Sequence, residues 1–307
     1  MSPGLLRGVI PILAMPFDTQ ERVDLDSLHQ EVDFLIDTGV EVVGFGFASE
    51  AFRLTEAEHE SAIRAVCEQA AGKAQVLVQV TAASIAVAVA RARRAAELGA
   101  GLLMLPAPVL VQVDEDDQFE YFRTVAAATE LPVVVQDAPA MTGTTMSAAL
   151  LARLSTEVPQ VVGLKIEALP SAQKIAAVAG LQSGQGGVLG GAGGVDFYHE
   201  LERGASGTMP GAGLPEPFCD VLRLHCEGCR DQARLLFNRY LPLLALTQRS
   251  LDTFLWVHKE ILRRRGVFAG AHLRRPHEPI ADLLRADLDS LLSDLLPYPT
   301  PEQEKQP

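Results

Sequence analysis

Lys165 ends the run Val161-Val162-Gly163-Leu164-Lys165, so a primary amine stands at the tip of a segment that reads as a buried strand. Continuous apolar runs are typical of parallel sheets covered on both faces, where an unpaired ammonium is costly and tends to lose its proton. A neutral amine is a nucleophile, and the chemistry that suits it best is Schiff-base formation with a carbonyl substrate. A plainer arrangement competes with this one, in which Lys165 lies just past the strand, solvated or paired with Glu167. Residues two apart in extended chain share a face, so Glu167 points to the side of Lys165 if the extension continues. Its carboxyl could then shuttle a proton, provided burial raises its pKa.

Other reactive residue types offer less. His225-Cys226-Glu227-Gly228-Cys229 has a C-x-x-C spacing, yet no second Cys or His pair stands at zinc-finger distance, and a helix-to-helix turn around Gly228 is the simpler account. The seven histidines are scattered and form no H-x-x-x-H or carboxylate pair at a strand end, so no metal is expected.

An amine at a strand tip needs a frame around it. Short apolar runs alternate with amphipathic stretches at intervals of roughly 25 to 30 residues, the pattern of repeated βα units. The predicted strands are Gly8–Ala14, Val42–Phe45, Val76–Val80, Leu102–Leu105, Val133–Gln136, Val161–Lys165, Gly187–Leu189 and Gly207–Met209. Helix starts lie between them: Asp24 before Leu25, Thr55 with Glu58 as a capping box, Ser84, and Ser147 before Ala148. Eight such units favour an α/β fold of the (β/α)8 TIM-barrel type over an open sheet.

The chain after the eighth strand exceeds what one covering helix needs, and Pro215–Cys226, Arg230–Arg249, Leu251–Arg265 and Ile280–Leu295 all read as helical. The expected organisation is therefore a barrel over 1–212, its last helix with a C-terminal helical extension over 213–297, and a polar tail over 298–307 that frays.

Composition narrows the possible partners. A formal charge of -13, with Arg263-Arg264-Arg265 as the longest basic cluster, disfavours nucleic acid and anionic membrane surfaces. No stretch supplies the roughly 18 uninterrupted apolar residues of a membrane span. The apolar segment Leu5–Phe17 is broken by Arg7, Pro11 and Pro16, with no small-residue cleavage site after it. Four cysteines are too few for a disulfide scaffold at this length, so a cytoplasmic protein with free thiols is expected.

In such barrels the reacting groups come from the C-terminal ends of several strands and the loops that follow. Here those places hold Gly46-Phe47-Ala48-Ser49-Glu50 after the second strand, Gln136-Asp137-Ala138-Pro139 after the fifth and Lys165-Ile166-Glu167 after the sixth. Glycine-rich segments around Gly191 and Gly211 follow the seventh and eighth. All would converge on one pocket.

With these blocks in order, the chain resembles the dihydrodipicolinate synthase / N-acetylneuraminate lyase family of class I aldolases over nearly its whole length. Gly8-Val9-Ile10-Pro11-Ile12 with Pro16-Phe17 is similar to the family's opening strand, and Val23 to Leu28 to its first helix start. Gly46 to Glu50 stands in the place of its Gly-Thr-Thr-Gly-Glu loop, and Pro139 with Thr142-Gly143 matches the end of its Tyr-Asn-x-Pro-x-x-Thr-Gly stretch. Val162-Gly163-Leu164-Lys165 matches the strand that bears its Schiff-base lysine.

The departures matter as much. Gln136 replaces the family's proton-relaying tyrosine, and a carboxamide does not titrate as a phenol does. Met141 stands where the synthases present an arginine, and Phe47 and Ala48 replace the paired threonines that bind the pyruvoyl carboxylate. Lysine-biosynthetic synthase activity is thus poorly supported. Gln136 together with Lys165-Ile166-Glu167 resembles the subgroup that dehydrates 2-keto-3-deoxy sugar acids, in particular 2-keto-3-deoxy-L-arabonate.

The resemblance implies Lys165, Gln136 and Glu167 as catalytic residues and Phe47, Ala48, Ser49, Gly191 and Met209 as substrate contacts. Glu50 and Asp137 would sit behind them, Glu50 fixing its loop. It implies a small-molecule 2-oxo acid substrate, no cofactor, and a homo-oligomer, tetramer or dimer. Two other possibilities remain beside dehydration: reversible aldol cleavage releasing pyruvate, and a keto-acid-binding barrel that has lost its chemistry.

Overall fold

The computed structural model describes residues 6–182, 186–296 and 298. Eight parallel strands run β1 (Gly8–Val9), β2 (Val42–Phe45), β3 (Gln75–Gln79), β4 (Leu102–Pro106), β5 (Val133–Asp137), β6 (Val161–Ile166), β7 (Gly187–Gly190) and β8 (Gly207–Thr208). Their order is β1-β8-β7-β6-β5-β4-β3-β2. The ring closes between its ends through Ile12, which bridges both Gly44 and Gly211. The chain is a (β/α)8 TIM barrel.

The first strand is shorter than its apolar pattern predicts. Regular pairing stops at Val9, and only the Ile12 bridges continue it. Pro11 interrupts the run and has no N–H to give to a ladder. At β5 and β6 the strands instead run one residue further than expected, to Asp137 and Ile166.

Helices α1 (Leu25–Asp37), α2 (Glu56–Ala70), α3 (Ile85–Glu97), α4 (Glu115–Ala127), α5 (Pro139–Thr142), α6 (Ala148–Glu157), α7 (Ser171–Leu181) and α8 (Phe197–Leu201) connect the strands. Their starts follow local chemistry. Asp24 accepts from the Ser27 N–H, Ser84 from Val87, Ser147 from Leu150, and Thr55 with Glu58 closes a reciprocal capping box.

Beyond the barrel come α9 (Glu216–Cys226), α10 (Arg230–Thr247), α11 (Leu251–Arg264) and α12 (Asp282–Leu295). They share a second apolar core around Tyr240, Leu255, Trp256 and Leu288. Cys226 and Cys229 are free thiols flanking the turn at Gly228. Tyr298, which was expected to begin a fraying tail, donates its hydroxyl to Asp220 at 2.6 Å. The rest of that tail, 299–307, lies outside the described residues.

Alternation along the strands decides which residues see the barrel interior. Leu77 of β3, Val134 of β5 and Leu189 of β7 pack inside with Ile12, Met104 and Met209. Val133 and Val135 of β5, and Leu164 and Ile166 of β6, face outward into the layer between sheet and helices. By the same parity Gln79, Gln136 and Lys165 point inward, just above the apolar plug. Met104 is fully buried in this plug, and trimming it to Ala would cost about 2–5 kcal/mol.

Candidate active site

Lys165 and Gln136 sit side by side because β5 and β6 pair in register at these two positions. Lys165 is 4% exposed. Its Nζ lies 3.2 Å from Glu167 Oε1, so the amine is paired with the carboxylate two residues on. Glu167 is held by two further donors: the Ala192 N–H reaches Oε1 at 2.9 Å, and Gln136 Nε2 reaches Oε2 at 2.7 Å. Gln136 in turn accepts at Oε1 from Gln79 Nε2, 2.6 Å away. One polar chain, Gln79–Gln136–Glu167–Lys165, thus crosses the barrel interior from β3 to β6.

This chain corrects the expected state of Glu167. Burial alone would push its carboxyl up, but the Lys165 ammonium, the Ala192 N–H and the Gln136 amide together hold it below the ordinary carboxylate range. Glu167 rests as a carboxylate, ready to accept a proton rather than to give one.

Gly191 shapes the same spot. A Cβ there would stand 2.7 Å from Glu167 Oε1, so the loop after β7 approaches the carboxylate closely only because it has no side chain. Met209 lies inside the barrel with Leu189 and Ile12 and is 2% exposed.

The loop after β2 is a short turn over Phe47–Ser49. Phe47 and Ala48 are half-buried, and Ala48 packs against the C-terminal helical core. The Ser49 hydroxyl donates to the Leu13 carbonyl at 2.6 Å and accepts from the Gly46 N–H at 3.1 Å, so its only proton is engaged in holding the loop. Glu50, in the left-handed region at φ 53, is fully buried. It pairs with Arg53 at 2.8 Å and with Lys259 of α11. Arg53 also reaches Asp252 of α11 at 2.5 Å, so the loop is tied to the C-terminal helices through both basic residues.

Asp137 turns outward, where Lys174 of α7 lies 2.6 Å from its Oδ2. Burial raises this carboxyl above its ordinary value and Lys174 only partly opposes that. Its backbone carbonyl accepts from the Glu167 N–H at 2.9 Å, which links the two strand ends.

Four residues at or around the site escape the sequence pattern. Gln79 carried a signal of the same kind as Lys165, a polar residue within the run Val76-Leu77-Val78-Gln79-Val80. Glu200 of α8 gave none. It is 1% exposed, takes a hydrogen bond from Ser171 Oγ at 2.7 Å, and burial pushes its carboxyl up to about 8, with Asp196 and Glu167 adding to the rise. His258 and Lys259 are adjacent on α11, and only tertiary packing reveals them. The Gly213 N–H donates to His258 Nδ1 at 3.1 Å, which leaves the ring proton on Nε2, and burial lowers the imidazole to about 4. A Cβ on Gly211 would lie 2.5 Å from His258 Cε1, so the ring covers that strand end.

A cavity of about 510 Å³ opens beside this chain, between α2, α3 and the ends of β2 and β3. It touches the polar chain through Gln79 alone. Among the described residues no group of three or more His, Cys, Asp or Glu is arranged to hold a metal, and no helix is long and apolar enough to cross a membrane.

The family model described as the dihydrodipicolinate synthetase family matches residues 5–295. L-2-keto-3-deoxyarabonate dehydratase of Azospirillum brasilense is 32% identical over 298 residues, covering 95% of each chain. A 4-hydroxy-tetrahydrodipicolinate synthase of Xanthomonas axonopodis pv. citri is 31% identical over 302 residues, covering 93% of this chain and 96% of that one. Among solved structures, dihydrodipicolinate synthase from Rhodopseudomonas palustris superposes with a TM-score of 0.88 at 29% identity, covering 95% of this chain and 98% of that one.

Proposed function

The chain belongs to the dihydrodipicolinate synthetase family of lyases, and from that premise we propose that it dehydrates a 2-keto-3-deoxy sugar acid through a Schiff base on Lys165. The observation that carries this reading is the contact of Lys165 with a carboxylate, Glu167, whose other partners are carboxamide and peptide N–H groups rather than a phenol. The chain's four tyrosines are Tyr121, Tyr198, Tyr240 and Tyr298, none of them in this polar chain. The dehydratase similarity over 95% of both chains supports the same class of reaction.

In this mechanism a 2-oxo acid enters above the apolar plug. Lys165 passes a proton to Glu167, its nearest acceptor at 3.2 Å, and attacks C2; Glu167 returns that proton to the carbinolamine hydroxyl, which leaves as water to give the iminium and a free Glu167 carboxylate. The iminium acidifies C3. The Glu167 carboxylate removes a C3 proton, and the enamine expels the C4 hydroxyl, which leaves as water once it takes up that proton. Gln136 does not titrate; it holds Glu167 and positions the substrate hydroxyl. The N–H groups of Phe47 and Ala48, which open a helical turn and so lack partners within it, are the donors assigned to the substrate carboxylate, with Ser49 bracing them from behind. Gly191 and Met209 bound the space for the substrate chain.

A second reading, reversible aldol cleavage releasing pyruvate, is favoured by the synthases among the relatives. No cofactor enters either reaction, and both suit a cytoplasmic enzyme. Apolar side chains left exposed on Phe52, Leu110 and Met141 fit a homo-oligomer, dimer or tetramer, measurable by sedimentation.

The deciding experiment is borohydride reduction with pyruvate and with a panel of 2-keto-3-deoxy sugar acids, read by peptide mass spectrometry beside Lys165→Ala. An adduct on Lys165 and semialdehyde formation without pyruvate are expected. Pyruvate release would select the aldolase, and absence of any adduct would overturn the Schiff-base mechanism.

A further inference from the structure

The geometry points to Gln79 as a positioning residue that fixes which end of the Gln136 carboxamide faces Glu167, and so holds Glu167 ready as the base. A glutamine side chain has a donor end and an acceptor end of nearly equal size, and nothing in its shape chooses between them. At Gln136 the choice has consequences. With the NH2 group toward Glu167 the amide donates to a carboxylate; with the oxygen toward Glu167 the two acceptors oppose each other unless Glu167 carries a proton.

Gln79 settles the choice through its own donor. It reaches Gln136 Oε1 at 2.6 Å, which leaves Gln136 Nε2 to reach Glu167 Oε2 at 2.7 Å. Gln79 is 8% exposed and Gln136 fully buried, so water does not readily substitute for either bond. Gln79 has no part in the reaction scheme above and touches no reacting atom. Its place on β3, two residues beyond Leu77 of the barrel plug, gives it an inward direction set by the strand itself.

The charged and titratable groups around Glu167 are known from each side. Lys165 lies on its own strand, Asp137 on β5 is backed by Lys174 of α7, and Glu200 stands on α8. The loop after β7 offers the Ala192 N–H. Lys165 and Ala192 favour the carboxylate directly, Asp137 opposes it, Glu200 does so only once it ionises near pH 8, and Gln136 is the neutral group whose contribution changes sign with its orientation. The effect therefore runs from Gln79 through the hydrogen bond to Gln136.

This inference rests on Glu167 serving as the proton acceptor, and its test separates the two. Gln79→Met keeps the volume and removes the donor; Gln79→Glu replaces the donor with an acceptor and demands the opposite orientation of Gln136. The acid limb of kcat/KM against pH is expected to move upward by about one unit in Gln79→Met and further in Gln79→Glu. Carbon-13 NMR titration of the Glu167 carboxyl, in the substrate-free enzyme, is expected to move the same way and needs no turnover. If trapping shows no imine while this titration still moves, the positioning role stands and the lyase mechanism falls. A lower kcat/KM with the acid limb and the carboxyl titration both unmoved would mean that Gln79 only fills space, and would overturn the inference. Gln79→Glu moving the titration downward would do the same.

Discussion

Lys165 of β6 and Glu167, one residue past its end, meet at 3.2 Å, an ion pair between residues two apart in extended chain. Strand geometry makes this contact nearly automatic once extended chain continues past Ile166. The carboxylate therefore needs no separate element to bring it to the amine, only the flanking donors that hold it ionised. Replacing Glu167 by Gln should leave the Lys165 imine trappable by borohydride while lowering turnover by about 10²–10⁴-fold, the range of a lost general base. Loss of trapping together with turnover would instead make Glu167 necessary for forming the imine.

Gly191→Ala tests the close approach of the β7 loop. The added Cβ would stand 2.7 Å from Glu167 Oε1, so either the carboxylate or the loop must shift. A displacement of about 1 Å at the chemistry can cost about 100-fold in rate. Kinetics are expected to suffer that loss, measured against the melting temperature of the same variant.

Lys259→Met tests the anchor of the β2 loop. Lys259 and Glu50 are both fully buried, and removal of one partner strands the other charge away from water. Breaking such a pair costs about 3–5 kcal/mol, measurable by denaturant unfolding. The double variant Lys259→Met with Glu50→Gln should recover part of that loss, because no uncompensated ion remains.

Much of this architecture is legible in the chain before any folding is known. Ser84, Thr55 with Glu58 and Ser147 mark helix starts by local hydrogen bonding, so proximity in sequence is enough to find them. Lys165, Gln136 and Glu167 stand out because polar groups at the ends of apolar strands break a pattern. Ser49 shows the limit of that approach: a hydroxyl in a binding loop looks free in sequence, yet its proton goes to Leu13, 36 residues earlier. His258 and Glu200 are hidden for a similar reason. Each lies on an amphipathic helix where polar residues are ordinary, and only the packing of that helix on a strand end buries it.

Acid should weaken the fold through His258. Its pKa falls from 6.5 in the unfolded chain to about 4 when folded, so the native state resists protonation. A base with a depressed folded pKa contributes stability above its unfolded value, and that contribution is lost as pH falls from 6.5 towards 4. At 1.36 kcal/mol per unit the loss is about 3 kcal/mol, and His258→Gln should flatten the dependence in urea unfolding across that window.

Glu200 has the opposite slope. Its folded pKa of about 8 lies above the ordinary value of 4.5, so the folded chain binds the extra proton in between and stability falls as pH rises through that interval. Glu200→Gln, neutral at every pH, should raise stability on the order of 2–4 kcal/mol near pH 8 and very little near pH 4.5. Thermal melts of both proteins at the two pH values provide the check.

Adjacent residues of α11 hold two different rims of the barrel: His258 receives the Gly213 N–H after β8, and Lys259 grips Glu50 after β2. A ribosome makes this chain from its amino end, so all eight strands and Lys165 emerge before either of those grips exists. The loop after β2 in a nascent chain thus stays unfastened until α11 has been translated, so its final shape is set by the last part of the chain to emerge rather than by the strand that precedes it.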